Sequence, residues 1–152
     1  MKLNRRIFTA LAAGALAMGF ALPASAADLD AIKNAGTVRV GMLVDFPPFG
    51  IQDASGKPDG YDADVAKALG EFLGVQAQIV PVTGPNRIPY LLSGQVDVLV
   101  ASLGITAERA EKVDFSKPYA GISIAVYGDS GLEVADAAGL AGQSLAVARA
   151  ST

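Results

Sequence analysis

VDVLVASLGITAER, residues 96–109, is the most informative segment of the chain. Its first five residues form an almost continuous apolar run, which is typical of a strand buried on both faces of a parallel sheet. A polar, glycine-containing loop follows, and a short helix is predicted from Ala107 to Lys112. Because α/β proteins bind ligands beyond the carboxyl ends of their strands, this loop is the predicted ligand site.

The chemistry of this loop suits an anion. Ser102 supplies a hydroxyl, and Gly104 leaves its backbone N–H approachable. Thr106 is a candidate N-cap for the following helix, whose free N–H groups favour negative charge. Arg109 carries a planar fork of donors that can hold a carboxylate through two hydrogen bonds. The alternative is that Arg109 is a solvent-exposed helix residue among neighbouring glutamates, and the loop alone leaves both interpretations open.

The elements on either side of this segment alternate between helix and strand patterns. The predicted helices are 29–34, 62–74, 88–93, 107–112 and 136–140. The predicted strands are 37–42, 75–82, 96–100, 121–127 and 144–148. This alternation predicts an α/β fold with a mainly parallel sheet and crossover helices.

The helix at residues 62–74 is predicted to be amphipathic. Asp62 can cap its N-terminus, and Gly74 is suited to its C-terminus. The apolar residues that fall at helical spacing on its core-facing side are Val65, Ala66, Leu69, Phe72 and Leu73. A cap at Asp62 and a first-turn acid at Asp64 explain these carboxylates better than a metal loop does.

The composition excludes several classes of protein. The 152 residues include neither Cys nor His, which excludes disulfides, the usual zinc sites and Cys- or His-based catalysis. The net charge of −3 argues against nucleic-acid binding, which needs a basic surface. We expect no cofactor, no metal ion and no nucleic-acid partner.

Residues 1–26 have the features of a cleavable signal peptide. Residues 2–6 include three basic side chains, residues 7–22 are mostly apolar, and residues 24–26 read ASA. The apolar run is shorter than the roughly 20 residues that a membrane span needs, which disfavours an N-terminal anchor. We therefore expect export to the periplasm.

Short motifs along the chain resemble those of one protein family. In order, they are VRVG (38–41), PPF (47–49), GYDAD (60–64), IP (88–89) with LL (91–92) and Gly94, VD (96–97), IT (105–106) with ER (108–109), and VDFS (113–116) with PY (118–119). Their order and spacing are similar to those of family 3 solute-binding proteins, the periplasmic amino-acid-binding proteins of ABC transporters. The resemblance implies a type II periplasmic-binding-protein-like lobe over residues 27–119, then a hinge crossing and the start of a truncated second lobe over 120–152.

The resemblance also implies a function and partners. The chain is expected to capture a polar amino acid for an ABC permease of the inner membrane, without being an enzyme, and to be a monomer when complete. Because two lobes close on the ligand in this family, the chain alone is expected to bind weakly. One alternative is an enzyme similar to the cyclohexadienyl dehydratases on the same scaffold. Another is a receptor ectodomain, which the cleavable leader disfavours.

The site residues follow from the same resemblance. It implies that Arg109 clamps the ligand α-carboxylate and that Ser102 contacts the main-chain groups of the ligand. Gly104 stands where the family often has Ser or Thr, so that only its N–H can bind. Phe46 matches an aromatic residue that stacks on the ligand, although packing within its own loop explains it nearly as well. Thr152 matches a first-turn residue of the second lobe that closes on the carboxylate.

Arg87 bears on the choice of amino acid. Residues 86–89 read NRIP and resemble the acidic amino-acid binders, in which this arginine meets the side-chain carboxylate of the ligand. A second cation beside Arg109 would favour a second carboxylate through Coulomb attraction. Glutamate or aspartate is therefore the expected ligand, with a surface helix position for Arg87 as the alternative.

Overall fold

A three-stranded parallel sheet is the centre of the computed structural model, which describes residues 28–131 and 134–151. The predicted signal peptide and Thr152 lie outside the described residues. The strands are β1 (Thr37–Leu43), β2 (Ile51–Gln52), β3 (Pro58–Asp59), β4 (Gln76–Val82) and β5 (Val98–Leu99). The α-helices are α1 (Leu29–Ala35), α2 (Tyr61–Leu73), α3 (Arg87–Leu92) and α4 (Ala107–Ala110), with 3₁₀ helices at Gly84–Asn86 and Ala137–Leu140.

Strand β1 is the middle strand of the sheet and pairs in parallel with β4 and β5. Its side chains form the core, since Val38, Val40 and Met42 are at most 1% exposed. Gly41 leaves room for the side chain of Leu99 from β5, because a Cβ at this position would lie 2.7 Å from Cδ2 of Leu99. The predicted parallel α/β arrangement is confirmed.

The strand predicted at residues 96–100 is shorter than expected. Only Val98 and Leu99 pair with β1, while Val96 and Val100 extend this segment as buried side chains. Val98 and Leu99 themselves are half-buried, so burial on both faces is partial. The reason is that β5 is an edge strand of the sheet within the described residues.

Helix α2 corrects two predictions. Gly60 is its N-cap, and Asp62 belongs to its buried face together with Ala66 and Gly70 at intervals of four residues. The prediction that Asp62 caps the helix is therefore wrong. Phe72 was expected to face the core but is 86% exposed, because two residues beyond Gly70 is about 200° around the helix.

The segment from residue 120 to 151 differs from the sequence prediction. The strands predicted at 121–127 and 144–148 pair with no other segment in the part of the chain that the structure describes. Ile124 is 75% exposed and Val147 is 81% exposed. The predicted helix at 136–140 is present as a 3₁₀ helix, with Asp136 as its N-cap. An alternating apolar pattern becomes a stable strand only where a partner supplies the hydrogen bonds, and no described segment does so for these two runs.

Candidate functional site

A cavity of about 1000 Å³ opens at the carboxyl ends of the three parallel strands. Segments 115–125 and 148–151 contribute to its walls. The residues that line it at or after the strand ends are Leu43, Phe46, Thr83, Arg87, Ser102 and Gly104. The cavity is therefore at the position that the sequence predicted for a ligand site.

Arg87 is a buried arginine, only 5% exposed, so the interpretation as a surface helix residue is wrong. Its Nε donates to the carbonyl of Gly84 at 3.1 Å. Its Nη1 donates to the carbonyls of Ala101 and Ser102 at 2.9 and 3.2 Å. Its Nη2 donates to the carbonyl of Ala150 at 2.8 Å. Arg87 thus holds three loops together around the cavity.

Arg109 lies close to this buried arginine. Its Nη1 donates to the carbonyl of Gly104 at 2.9 Å, and its Nη2 donates to the carbonyl of Ala150 at 3.0 Å. Its backbone N–H donates to Thr106 Oγ1, which confirms Thr106 as the N-cap of α4. Burial lowers the pKa of Arg87, and the charge of Arg109 lowers it further. The two guanidinium groups therefore converge on one carbonyl oxygen, that of Ala150.

Ser102 and Gly104 both line the cavity, as the sequence predicts. Ser102 has a positive φ of 46°, a left-handed conformation that non-glycine residues rarely adopt. Its hydroxyl donates to Oδ2 of Asp62 at 3.2 Å. The Gly104 carbonyl accepts the hydrogen bond from Arg109. The side chain of Asp62 thus holds this loop at Ser102, and that of Arg109 holds it at Gly104.

Phe46 also lines the cavity and is 40% exposed. Its ring stacks on that of Phe49, with 5.9 Å between centroids and 22° between planes. Phe49 in turn meets Tyr61 edge to face at 5.9 Å. Phe46 therefore packs within its own loop. Stacking of the ligand on its exposed face stays a prediction.

Asp62 and Tyr119 form a part of the site that the sequence analysis missed. Asp62 is 0% exposed, and its Oδ1 accepts the Tyr119 hydroxyl at 3.1 Å. Burial raises the pKa of Asp62, although the hydrogen bonds from Tyr119 and Ser102 oppose the shift. Burial and the charge of Asp62 raise the pKa of Tyr119. The signal in the sequence was the four-residue spacing of Asp62 with Ala66 and Gly70.

The described residues contain neither a metal-binding cluster of acidic side chains nor a helix able to span a membrane. Residues 28–131 and 134–151 bring together no group of three or more Asp or Glu side chains that could hold a metal ion. Within the same ranges, every helix is too short or too polar to cross a lipid bilayer. Thr152, predicted to contact the ligand carboxylate, lies outside these ranges.

Comparison with known proteins identifies the family. Residues 38–145 match the bacterial extracellular solute-binding proteins, family 3. The chain belongs to this family. It is 34% identical over 119 residues to the L-cystine-binding protein TcyJ of Escherichia coli, covering 77% of this chain and 45% of TcyJ. It is 33% identical over 115 residues to the cyclohexadienyl dehydratase of Pseudomonas aeruginosa, covering 76% of this chain and 43% of the enzyme.

The solved structures agree with this assignment. The arginine-bound form of domain 1 from TmArgBP has a TM-score of 0.57 and 43% identity, covering 58% of this chain and 70% of that domain. This similarity confirms the predicted type II periplasmic-binding-protein fold of the chain. The chain spans less than half the length of the two curated relatives described above.

Proposed function

We propose that this family member is an extracytoplasmic receptor that captures an amino acid and delivers it to an ABC permease. The observation that carries the proposal is the convergence of Arg87 and Arg109 on the carbonyl oxygen of Ala150, at 2.8 and 3.0 Å. A carboxylate oxygen accepts hydrogen bonds as this carbonyl oxygen does, and it also carries a negative charge. The ligand carboxylate takes the place of this carbonyl between the two guanidinium groups.

Electrostatics supports an anionic group at this point. The ion pairs of the described residues join Arg39 to Asp97 and Lys112 to Glu108, so neither Arg87 nor Arg109 forms an ion pair there. Two close cations repel each other, and an anion between them relieves this repulsion. The site therefore favours a ligand with at least one carboxylate.

The finer proposal is a preference for glutamate or aspartate. In this arrangement Arg109 holds the α-carboxylate, and Arg87 contacts both this group and the side-chain carboxylate, as the NRIP segment suggested. Calorimetric titration of the purified chain with L-glutamate, L-aspartate, L-glutamine, L-arginine and L-cystine tests the preference. Tighter binding of a neutral or cationic amino acid would contradict it.

The variant Arg87→Gln tests this preference at one side chain, and Lys67→Gln is its control. Lys67 is an exposed cation of α2 outside the cavity lining, so the control changes the net charge equally. We expect Arg87→Gln to reduce the preference for acidic ligands and Lys67→Gln to leave it unchanged. Arg87→Gln also lowers the melting temperature, because buried carbonyls lose their donors. An unchanged preference with a lower melting temperature would limit Arg87 to a structural role.

Binding by a single lobe is also open to test. Weak binding by this chain is the expectation from its sequence, because a second lobe closes on the ligand in this family. The arginine-bound domain 1 of TmArgBP supports the opposite expectation for an isolated lobe. The titration above separates the two, since millimolar dissociation constants favour the first and micromolar constants the second.

An enzyme is the second candidate, supported by the 33% identity to a cyclohexadienyl dehydratase. The test is to incubate the purified chain with prephenate or arogenate and to follow the products by mass spectrometry. Release of phenylpyruvate or phenylalanine above the spontaneous rate would favour the enzyme. Saturable amino-acid binding without product would favour the receptor.

A further inference from the structure

Asp62 is a buried carboxylate without a cationic partner. Its side chain is fully buried, and the ion pairs within residues 28–131 and 134–151 do not include it. A buried charge is costly unless hydrogen bonds replace its hydration. In this fold two hydroxyl groups do so, those of Ser102 and Tyr119.

These two partners come from distant parts of the chain. Ser102 follows β5 in the loop that lines the cavity, and Tyr119 lies beyond α4. Tyr119 is also bound to the first residue of α2, because the hydroxyl of Tyr61 donates to its carbonyl at 3.2 Å and their rings stack. Asp62 therefore joins the first turn of α2 to two walls of the cavity.

The direction of these hydrogen bonds has a chemical consequence. An ionised carboxylate only accepts, so the hydroxyl of Ser102 has to be the donor. A serine hydroxyl has one proton and two lone pairs, and its proton is used by Asp62. The remaining hydrogen-bonding capacity of Ser102 Oγ is that of an acceptor. Such an oxygen binds a donor such as an ammonium group and repels a carboxylate.

We propose that Asp62 is a positioning residue that orients the Ser102 hydroxyl as an acceptor for the ammonium group of the ligand. The inference rests on the proposed amino-acid function. It assigns the two charged groups of the ligand to different parts of the site. The carboxylate lies between Arg87 and Arg109, and the ammonium group lies against Ser102. Asp62 sets this polarity without touching the ligand.

The test compares amino acids with their deamino counterparts on the purified chain. The probes are L-glutamate with glutarate, L-glutamine with glutaramate, and L-arginine with 5-guanidinopentanoate. The pair whose amino acid binds most tightly is then used. The measured ratio is the dissociation constant of the deamino compound divided by that of the amino acid. A purely structural role of Asp62 would weaken both members of the pair equally and leave this ratio unchanged.

The variants distinguish the direction of the hydrogen bond at Ser102 from an effect on the packing of the fold. Ser102→Gly removes the hydroxyl at a position where the positive φ suits glycine, so the fold is retained. Asp62→Asn supplies an amide N–H that can donate to Ser102 and reverse the bond. Asp64→Asn, two residues along α2 and exposed, is the matched control for charge.

We expect Ser102→Gly and Asp62→Asn to reduce the ratio about tenfold, the loss of one hydrogen bond to a charged group. We expect Asp64→Asn to change it less than twofold. An unchanged ratio in Ser102→Gly would overturn the inference, and this variant decides alone if Asp62→Asn does not fold. If the unmodified chain binds none of the three amino acids, the proposed function fails together with the inference.

Discussion

Residues 28–119 and residues 120–151 have similar apolar patterns but different structures. The first region contains every paired strand of the described residues, and its central side chains, such as Val40 and Met42, are 0% exposed. In the second region Tyr127 is 93% exposed and Val147 81%. The two predicted strands there remain unpaired within the described part of the chain.

An apolar run is therefore not sufficient to form a core. Strand β1 is buried because β4 and β5 flank it and α2 covers it. The equivalent runs of the second region have neither flanking strands nor a covering helix among the described residues. Burial is thus a property of the assembled layers rather than of the single segment.

The largest effect is expected where the two regions meet, at Arg109. Its guanidinium joins Gly104 of the first region to Ala150 of the second. Arg109→Ala removes the proposed bidentate partner of the ligand carboxylate and should cost about 3–5 kcal/mol of binding free energy, at least 100-fold in affinity. Arg109→Lys should not restore binding, because an ammonium group cannot reproduce the planar fork.

Calorimetry with the tightest-binding amino acid measures this loss, with Lys67→Ala as the control. Lys67 is an exposed cation of α2 outside the cavity lining. A loss of less than tenfold for Arg109→Ala would remove Arg109 from the site.

Truncation of matched apolar residues tests the comparison directly. Met42→Ala in the first region leaves a cavity in the core and should lower the free energy of unfolding by about 3 kcal/mol. Val147→Ala in the second region should change it by less than about 0.5 kcal/mol, because the side chain is already exposed. Urea denaturation followed by circular dichroism measures both. Equal losses would show that the second region packs as tightly as the first.

Acid stability should also depend on the first region, which contains both ion pairs of the described residues. Burial alone would raise the pKa of Asp97, but the hydrogen bonds from Arg39 outweigh it and hold that pKa below its usual value. The pair therefore stabilises the fold above the unfolded Asp pKa of about 3.9, and this stabilisation is lost as the pH falls through the lower folded pKa.

The variant Asp97→Asn tests this pH dependence. It should lower the free energy of unfolding by about 1–3 kcal/mol at pH 6, and its difference from the unmodified chain should shrink below about pH 4. Urea denaturation between pH 3 and pH 6 gives both curves. A constant difference across this range would contradict the assignment of the acid dependence to Asp97.

The smallest effect on stability is expected for Ile124→Lys. Ile122, Ile124 and Val126 alternate in an exposed, unpaired segment, which invites association between chains. The substitution should change the free energy of unfolding by less than about 0.5 kcal/mol and reduce self-association. Light scattering at increasing protein concentration measures the latter, with Ser123→Lys as the control for charge. A clear loss of stability would show that Ile124 is packed in solution.

The sequence predicted the first region well, because its signals are local. The helix at residues 29–34 and the strand at residues 37–42 have the predicted structures, and the apolar run before Ser102 is a strand, although a shorter one than predicted. Asp62 was misassigned because N-cap preference is a property of residue type, whereas burial depends on what covers the helix. Arg87 was left between two roles for the same reason, since the carbonyls that surround it come from three separate loops.

The position of β1 in the sheet also affects how the chain folds. This strand precedes the others of its sheet, yet Val40 pairs with Ile79 and with Val98, both far along the chain. Closing such long loops has an entropic cost that must be met before any strand contact forms. Folding should therefore be slow compared with that of a helical bundle of equal size. The first apolar strand stays exposed until residue 98 has joined it, so premature capture of this strand by another chain competes with folding.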